Sequence, residues 1–158
     1  MHKLLNETLS TKLIEVGGND SISLYYDPEQ RIGLAEATEP YIPLDDFMST
    51  FKESSRMVKE FKLTHFVFDK RSLRAFHQPS MEWYFVQWKP KMRDIGLKTH
   101  YKILPKEDWF RKCVEAGKED IKNSYGEEFL QGIEINYVST IQEAYVDKSN
   151  SSVRMKSV

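Results

Sequence analysis

Asp69, Arg71, Arg74, His77, Ser80 and Glu82 crowd into one short polar stretch that follows an apolar run and precedes an aromatic-rich one. A carboxylate and an imidazole so close together can exchange a proton, and guanidinium groups beside them can hold an anion. On that reading Asp69 and His77 are the candidate catalytic acid–base pair, and Arg71 or Arg74 fixes an anionic substrate. A plainer chemistry is also open. Asp69 can accept hydrogen bonds from loop amides, with the basic side chains solvated around it.

Other chemistries find less footing. His2, His65, His77 and His100 lack the spacing of a metal site, and only His77 with Asp69 or Glu82 falls close enough to be considered. No metal and no cofactor is expected. There is no GxGxxG, no Walker loop and no GxSxG elbow. A phosphoacceptor receiver needs an acidic pair after its first parallel strand, and Glu36 and Glu39 are poorly placed for it. Cys113 lies within a helical pattern that holds no histidine, as an inert packed thiol would.

The elements that must position these residues follow from periodicity. Residues 12–16, 22–26 and 32–37 read as three short strands, with turn chemistry at Gly17-Gly18-Asn19-Asp20 and Asp27-Pro28-Glu29-Gln30. They predict an antiparallel meander. Leu44, Phe47, Met48, Phe51, Ser55 and Val58 then recur at helical spacing, with Asp45 and Asp46 in the first turn. Residues 63–69 form a strand apolar on both faces, which calls for helices on both sides of a mixed sheet.

A second helix starts near Pro79, with Met81, Tyr84, Phe85, Trp88, Met92 and Ile95 as its inner face. Pro90 should kink or divide it. Residues 98–104 give another strand. A third helix spans 106–124 on a stripe of Trp109, Phe110, Cys113, Gly117 and Ile121, with Gly117 allowing close approach. Residues 133–138 form a last strand, and Ser139 or Thr140 caps a final short helix through Ile141, Ala144 and Tyr145. Right-handed crossovers gather Asp69, Pro105 and Ser139 at one sheet edge, where α/β sheets bind ligands.

Composition bounds the partners. The 158 residues carry a formal net charge of −1, with 40% hydrophobic and 30% charged residues. That balance lends no support to nucleic acid or anionic lipid as a partner. One cysteine excludes an internal disulfide. The polar start argues against a secretory signal, and no apolar run reaches the roughly 20 residues of a membrane span. A cytoplasmic, single-domain protein is expected, with a polar lead-in at 1–11, one α/β domain over 12–147 and a disordered tail over 148–158.

The strand reading FVFD, the helix reading PSMEWYFVQWKPKM and the strand reading KTHYKILP together resemble the STAS superfamily, the sulphate-transporter and anti-sigma-factor-antagonist domains. The likeness is to its bacterial STAS/SEC14-like branch of small stand-alone proteins, and it covers residues 12–147. It implies a four- or five-stranded mixed sheet with helices packed against it. The antagonists carry, after a strand-terminal Asp, a short loop with a phosphorylatable serine at the start of a helix. With Asp69 as that Asp, the nearest candidate is Ser80, and Ser72 is also available in the loop. Their Asp-Ser-Ser-Gly stretch is replaced by His77-Gln78-Pro79-Ser80. The SEC14-like comparison implies an apolar or lipid-like ligand.

The expectation is a non-enzymatic STAS-like regulatory domain that binds a ligand or protein through residues 69–82, with Asp69, Arg71, Arg74, His77, Ser80, Glu82 and Trp83 at the contact. The alternatives are a small enzyme built on Asp69 and His77, and a SEC14-like carrier. The helix over residues 81–92 is the expected surface for a protein partner or a homodimer.

Overall fold

The computed structural model describes residues 13–156, with side chains to residue 151. One sheet holds six strands in sequential order: β1 (Ile14–Gly18), β2 (Ile22–Asp27), β3 (Ile32–Ala37), β4 (His65–Asp69), β5 (Thr99–Ile103) and β6 (Glu134–Tyr137). β1 to β3 form an antiparallel meander, and β3 to β6 run parallel. The mixed α/β architecture and its six strands are as the patterning predicts, whereas the resemblance implied four or five. Gly17 and Gly18 belong to β1, and the tight turn falls on the residues after them.

Three crossovers join the parallel strands: α1 (Leu44–Phe61), a helical segment over residues 78–94, and α4 (Asp108–Tyr125). Each steps to the next strand in the same direction. Right-handed connections therefore stack all three on one face of the sheet. The opposite face is covered by α5 (Ile141–Lys156), whose Ile141 and Ala144 pack on Tyr25, Leu34, Val67 and Tyr101. Burial on both faces explains why β4 lacks polar alternation.

The segment over 78–94 resolves the question that Pro90 posed. It consists of α2 (Gln78–Trp83), a π-helical turn (Tyr84–Trp88) and α3 (Lys89–Asp94). The Lys89 amide donates to the Tyr84 carbonyl, five residues back. Proline supplies no amide hydrogen and clashes with the carbonyl four residues before it, and a widened turn relieves both. The wide turn also brings Tyr84, Phe85 and Trp88 inward together. Ile95, assigned to that face by its spacing, is instead 44% exposed.

Two other helical stripes shift. The α1 face is Phe47, Thr50, Phe51, Ser54, Met57 and Val58. On α4 the buried residues are Phe110, Val114, Gly117 and Ile121, while Trp109 is 41% exposed and Cys113 half-buried. Gly117 does permit close approach, since a Cβ there would lie 2.5 Å from Gln78 Oε1 and 2.6 Å from Met81 Sδ. It is what lets α2 lie down on α4.

The expected disordered tail from residue 148 continues α5 as helix to Lys156. Thr140 Oγ1 accepts from the Glu143 amide at 3.0 Å, a helix cap. Tyr145 Oη donates to Asp27 Oδ2, and Tyr101 Oη to Asp147 Oδ2, both at 2.8 Å. These anchors hold the helix to the sheet just before the serine-rich stretch, so the polar residues continue a turn already seated. The lead-in of residues 1–11 lies outside the described residues. No helix among the described residues is long and apolar enough to cross a membrane.

Phe51 ties the helices on this face together. Its ring lies 5.3 Å from Phe68, 4.9 Å from Trp88 and 5.8 Å from Tyr84, and its carbonyl accepts from Trp88 Nε1 at 2.8 Å. Truncation to alanine leaves a void that several rigid rings cannot fill. Phe51→Ala should lower unfolding free energy by about 4 kcal/mol, measured by urea denaturation; a loss near zero would mean that the ring cluster repacks freely.

Candidate functional site

The chemistry-bearing edge is set by the two-residue period of the strands. Along β4, Phe66 and Phe68 face α1 and the helical segment over 78–94, whereas Val67 faces α5. Asp69, next after Phe68, therefore turns to the α5 side. It is fully buried, and Arg71 encloses it. Oδ1 accepts from the Arg71 amide and Nε at 3.0 Å each, and Oδ2 from Nη2 at 2.8 Å. This is a bidentate pair with an added backbone bond, the arrangement of a loop anchor.

His77 lies on the other side of the sheet. Its Nδ1 accepts from the Ser80 amide at 3.3 Å and pairs with Ser80 Oγ at 2.8 Å, which caps α2. Asp69 and His77 are thus engaged with different partners and share no hydrogen bond. Ser72 Oγ is held by the carbonyls of Ala37 and Glu39, at 2.9 and 3.0 Å. Arg74 donates to the carbonyls of Arg71 and Leu73 and lies 3.7 Å from Glu107. Glu82 is half-buried, and Trp83 packs edge-on against Phe47 and Phe51 of α1. The apolar residues of the helical segment are turned into its own fold, and its outer side carries Gln87, Lys91, Arg93 and Asp94.

What the structure assembles instead is a pocket of about 60 Å³ between the sheet and the helices. Phe68, Leu104, Phe76, Phe110 and Val114 form apolar walls, and Tyr41, His77 and Ser80 stand at one side. Lys70, Tyr84, His100 and Lys102 supply its remaining polar groups. No carboxylate among the described residues lines it. On β5, Tyr101 and Ile103 face α5, so His100 and Lys102 both face the helices.

Lys102 is 4% exposed, and its side-chain amine makes no hydrogen bond or ion pair among the described residues. Its Nζ sits 4.1 Å from the Tyr84 ring centre and 4.9 Å from that of Phe85. Burial, then the nearby Lys70, Lys118 and Lys89, hold its amine well below the usual lysine range. Lys70, over the Phe68 ring, is pulled down to about 8 by burial and by Lys118. Lys89 also falls to about 8, through burial and the charges of Arg93 and Lys118, while donating to the Phe129 carbonyl at 3.1 Å.

Tyr84 Oη and His100 Nδ1 are joined by a hydrogen bond. Burial pushes the phenol up and the imidazole well down, so both are neutral at ordinary pH. His100 Nε2 is buried with no hydrogen-bond partner among the described residues. No group of three or more metal-ligating side chains occurs among the described residues.

Tyr84, His100 and Lys102 escape a reading centred on the 69–82 loop. A signal was present: in His100-Tyr101-Lys102-Ile103, alternate residues of an otherwise apolar interior strand are basic, so both must turn to the same face. Comparison of the chain with protein-family models, curated proteins and solved structures finds no match.

The lysines predict how stability varies with pH. Lys70 and Lys89 titrate near 8 when folded and 10.5 when unfolded, so between those values the unfolded chain binds more protons. Stability should therefore rise from about pH 8 to about pH 10. Above that, the raised tyrosine Tyr84 reverses the slope, because the unfolded chain loses its phenolic proton first. Lys102→Met keeps the length of the side chain while removing the amine, and should stabilise the fold by about 1–2 kcal/mol and flatten the slope. Urea midpoints across this range test both statements, and a slope that falls from pH 8 would contradict them.

Proposed function

We propose that the chain is a STAS-like, non-enzymatic binding domain that holds a small anion with an apolar body in the pocket over β5 and presents the result at the loop over residues 69–82. One observation carries the reading: Lys70 and Lys102 line an apolar-walled pocket to which no carboxylate among the described residues contributes. Two amines that meet no carboxylate among the described residues favour a negative ligand, whose charge would in turn favour their protonated forms. The ligand would supply the acceptors that Lys102 lacks.

The pocket and the loop share residues, which makes a readout physical. Lys70 lines the pocket, and its amide donates to the Ile103 carbonyl at 2.8 Å. His77 and Ser80 line it while capping α2. A bound anion would fix these side chains and with them the surface over 69–82 that a protein partner would meet. Phosphorylation at Ser80 would act on the same place, since its hydroxyl lies at the pocket.

The competing readings draw less support. An acid–base enzyme on Asp69 and His77 needs both groups at one substrate, and Arg71 and Ser80 engage them on opposite sides of the sheet. A lipid carrier needs space for acyl chains. About 60 Å³ corresponds to a few waters or a ligand of a few heavy atoms.

Thermal unfolding with acetate, lactate, phosphate and sulfate near neutral pH tests the proposal. At about a hundred times its Kd, a ligand of this site adds about 2.7 kcal/mol of stability, several degrees in Tm. The shift should vanish in a Lys70→Met/Lys102→Met double variant. No shift with any of the anions, or equal shifts in the variant, would count against the site.

A further inference from the structure

We propose that Lys102 captures its ligand covalently and reversibly, with Nζ condensing onto the carbonyl carbon of a small 2-oxo acid held in the pocket. The inference rests on the pocket being the ligand site, and it names the chemical class that site would take.

Three features of the geometry support it. The side chain of Lys102 is buried and its amine lies at the pocket wall over the Tyr84 and Phe85 rings, and among the described residues no donor meets its lone pair and no acceptor its protons. Lys70 lines the same pocket as a second, independent amine, able to pair with the ligand's carboxylate while Lys102 meets its carbonyl. Tyr84 and His100 bring a hydrogen-bonded hydroxyl–imidazole pair to that pocket. A pocket of about 60 Å³ suits a molecule the size of glyoxylate or pyruvate.

Surrounding cations and apolar walls are the conditions under which a lysine is a free amine and hence a nucleophile. The neighbours here are Lys70, Lys89 and Lys118. An amine in that state serves a carbonyl better than it serves a simple anion. The neutral form has no charge to offer the anion, yet it has the lone pair that the carbonyl carbon accepts.

The step balances without any further reagent. The Nζ lone pair forms a C–N bond to the carbonyl carbon, and the carbonyl π pair moves to oxygen. A proton passes from nitrogen to that oxygen, with the Tyr84–His100 pair able to give one and take one. The nitrogen's second proton then passes to the hydroxyl as the nitrogen lone pair forms the C=N bond and the C–O bond breaks, so water leaves and an imine remains. Nothing is oxidised or reduced, and water reverses the sequence. The outcome is capture rather than turnover.

Reductive trapping of the full chain provides the test. Protein is incubated at about pH 7.5 with pyruvate or glyoxylate and cyanoborohydride, then examined by intact mass and peptide mapping. Lactate serves as the matched acid that lacks the carbonyl. We expect one adduct per chain at Lys102, formed at least about tenfold faster than at exposed lysines, whose amines are only about one part in a thousand neutral at that pH. Pyruvate should also raise Tm more than lactate does. Lys102→Met should abolish the adduct, and the melting of the unliganded variant shows whether it folds. Equal Tm shifts from pyruvate and lactate with no adduct would overturn the imine and leave the anion site standing. Adducts spread over surface lysines and unchanged in Lys102→Met would likewise overturn it. No Tm shift from either acid, with no adduct, would overturn both.

Discussion

An interior strand covered on both faces leaves its basic side chains nowhere wet to go, and β5 carries two of them to the same side. Most of the unusual features on that side answer this constraint. The π-helical turn brings Tyr84, Phe85 and Trp88 inward together, and their rings surround the amine of Lys102 and the imidazole of His100. Phe85 lies within 5.0 Å of both Lys89 and Lys102. The rings offer a protonated amine their negative faces, which compensates only part of the lost hydration, and burial holds the Lys102 amine toward its neutral form. A histidine and a lysine so placed weaken the fold relative to apolar residues of the same size. Their presence is easier to understand where the site has a task than where it only fills space.

The sheet separates two polar clusters that lie next to each other in sequence. Asp69 and Arg71 tie the loop down on the α5 side, while Lys70, His77 and Ser80 border the pocket on the helix side. One-residue alternation is enough to send Asp69 and Lys70 to opposite faces. The loop that crosses the edge is thus anchored on one face and open to ligand control on the other. Its contacts, from the Arg74 amide to the Pro40 carbonyl and from Ser72 to Ala37, bind it to the connection leading into α1. Movement at the pocket would reach the surface by way of this loop.

Much of the architecture was legible from local pattern. The two-residue and helical periods identify the six strands and the main helices, and the doubly apolar β4 calls for cover on both faces. Pro90 marks the break in its helix, and Gly117 the close crossing with α4. The boundaries of stripes were harder, because Trp109 and Ile95 fit the spacing as well as their buried neighbours do and only packing distinguishes them. The extension of α5 depends on tertiary bonds from Tyr101 to Asp147 and from Tyr145 to Asp27, which no local pattern records. The site was the least visible part. Proximity in sequence drew attention to Asp69 and His77, whereas the pocket is assembled from β4, β5, α2 and α4, and its lysines are far apart along the chain.

The ionisation state of Lys102 lies at the centre of this picture, and it can be observed directly. Side-chain carbon NMR of lysine-labelled protein, titrated from about pH 5 to about pH 11 and assigned with Lys102→Met, follows each amine separately. The structure predicts that the Lys102 resonance titrates well below the exposed lysines, which cluster near about 10.4. A Lys102 that titrates together with them would show that its amine reaches water or a counter-ion, and would contradict the buried, unpaired amine on which the ligand site depends.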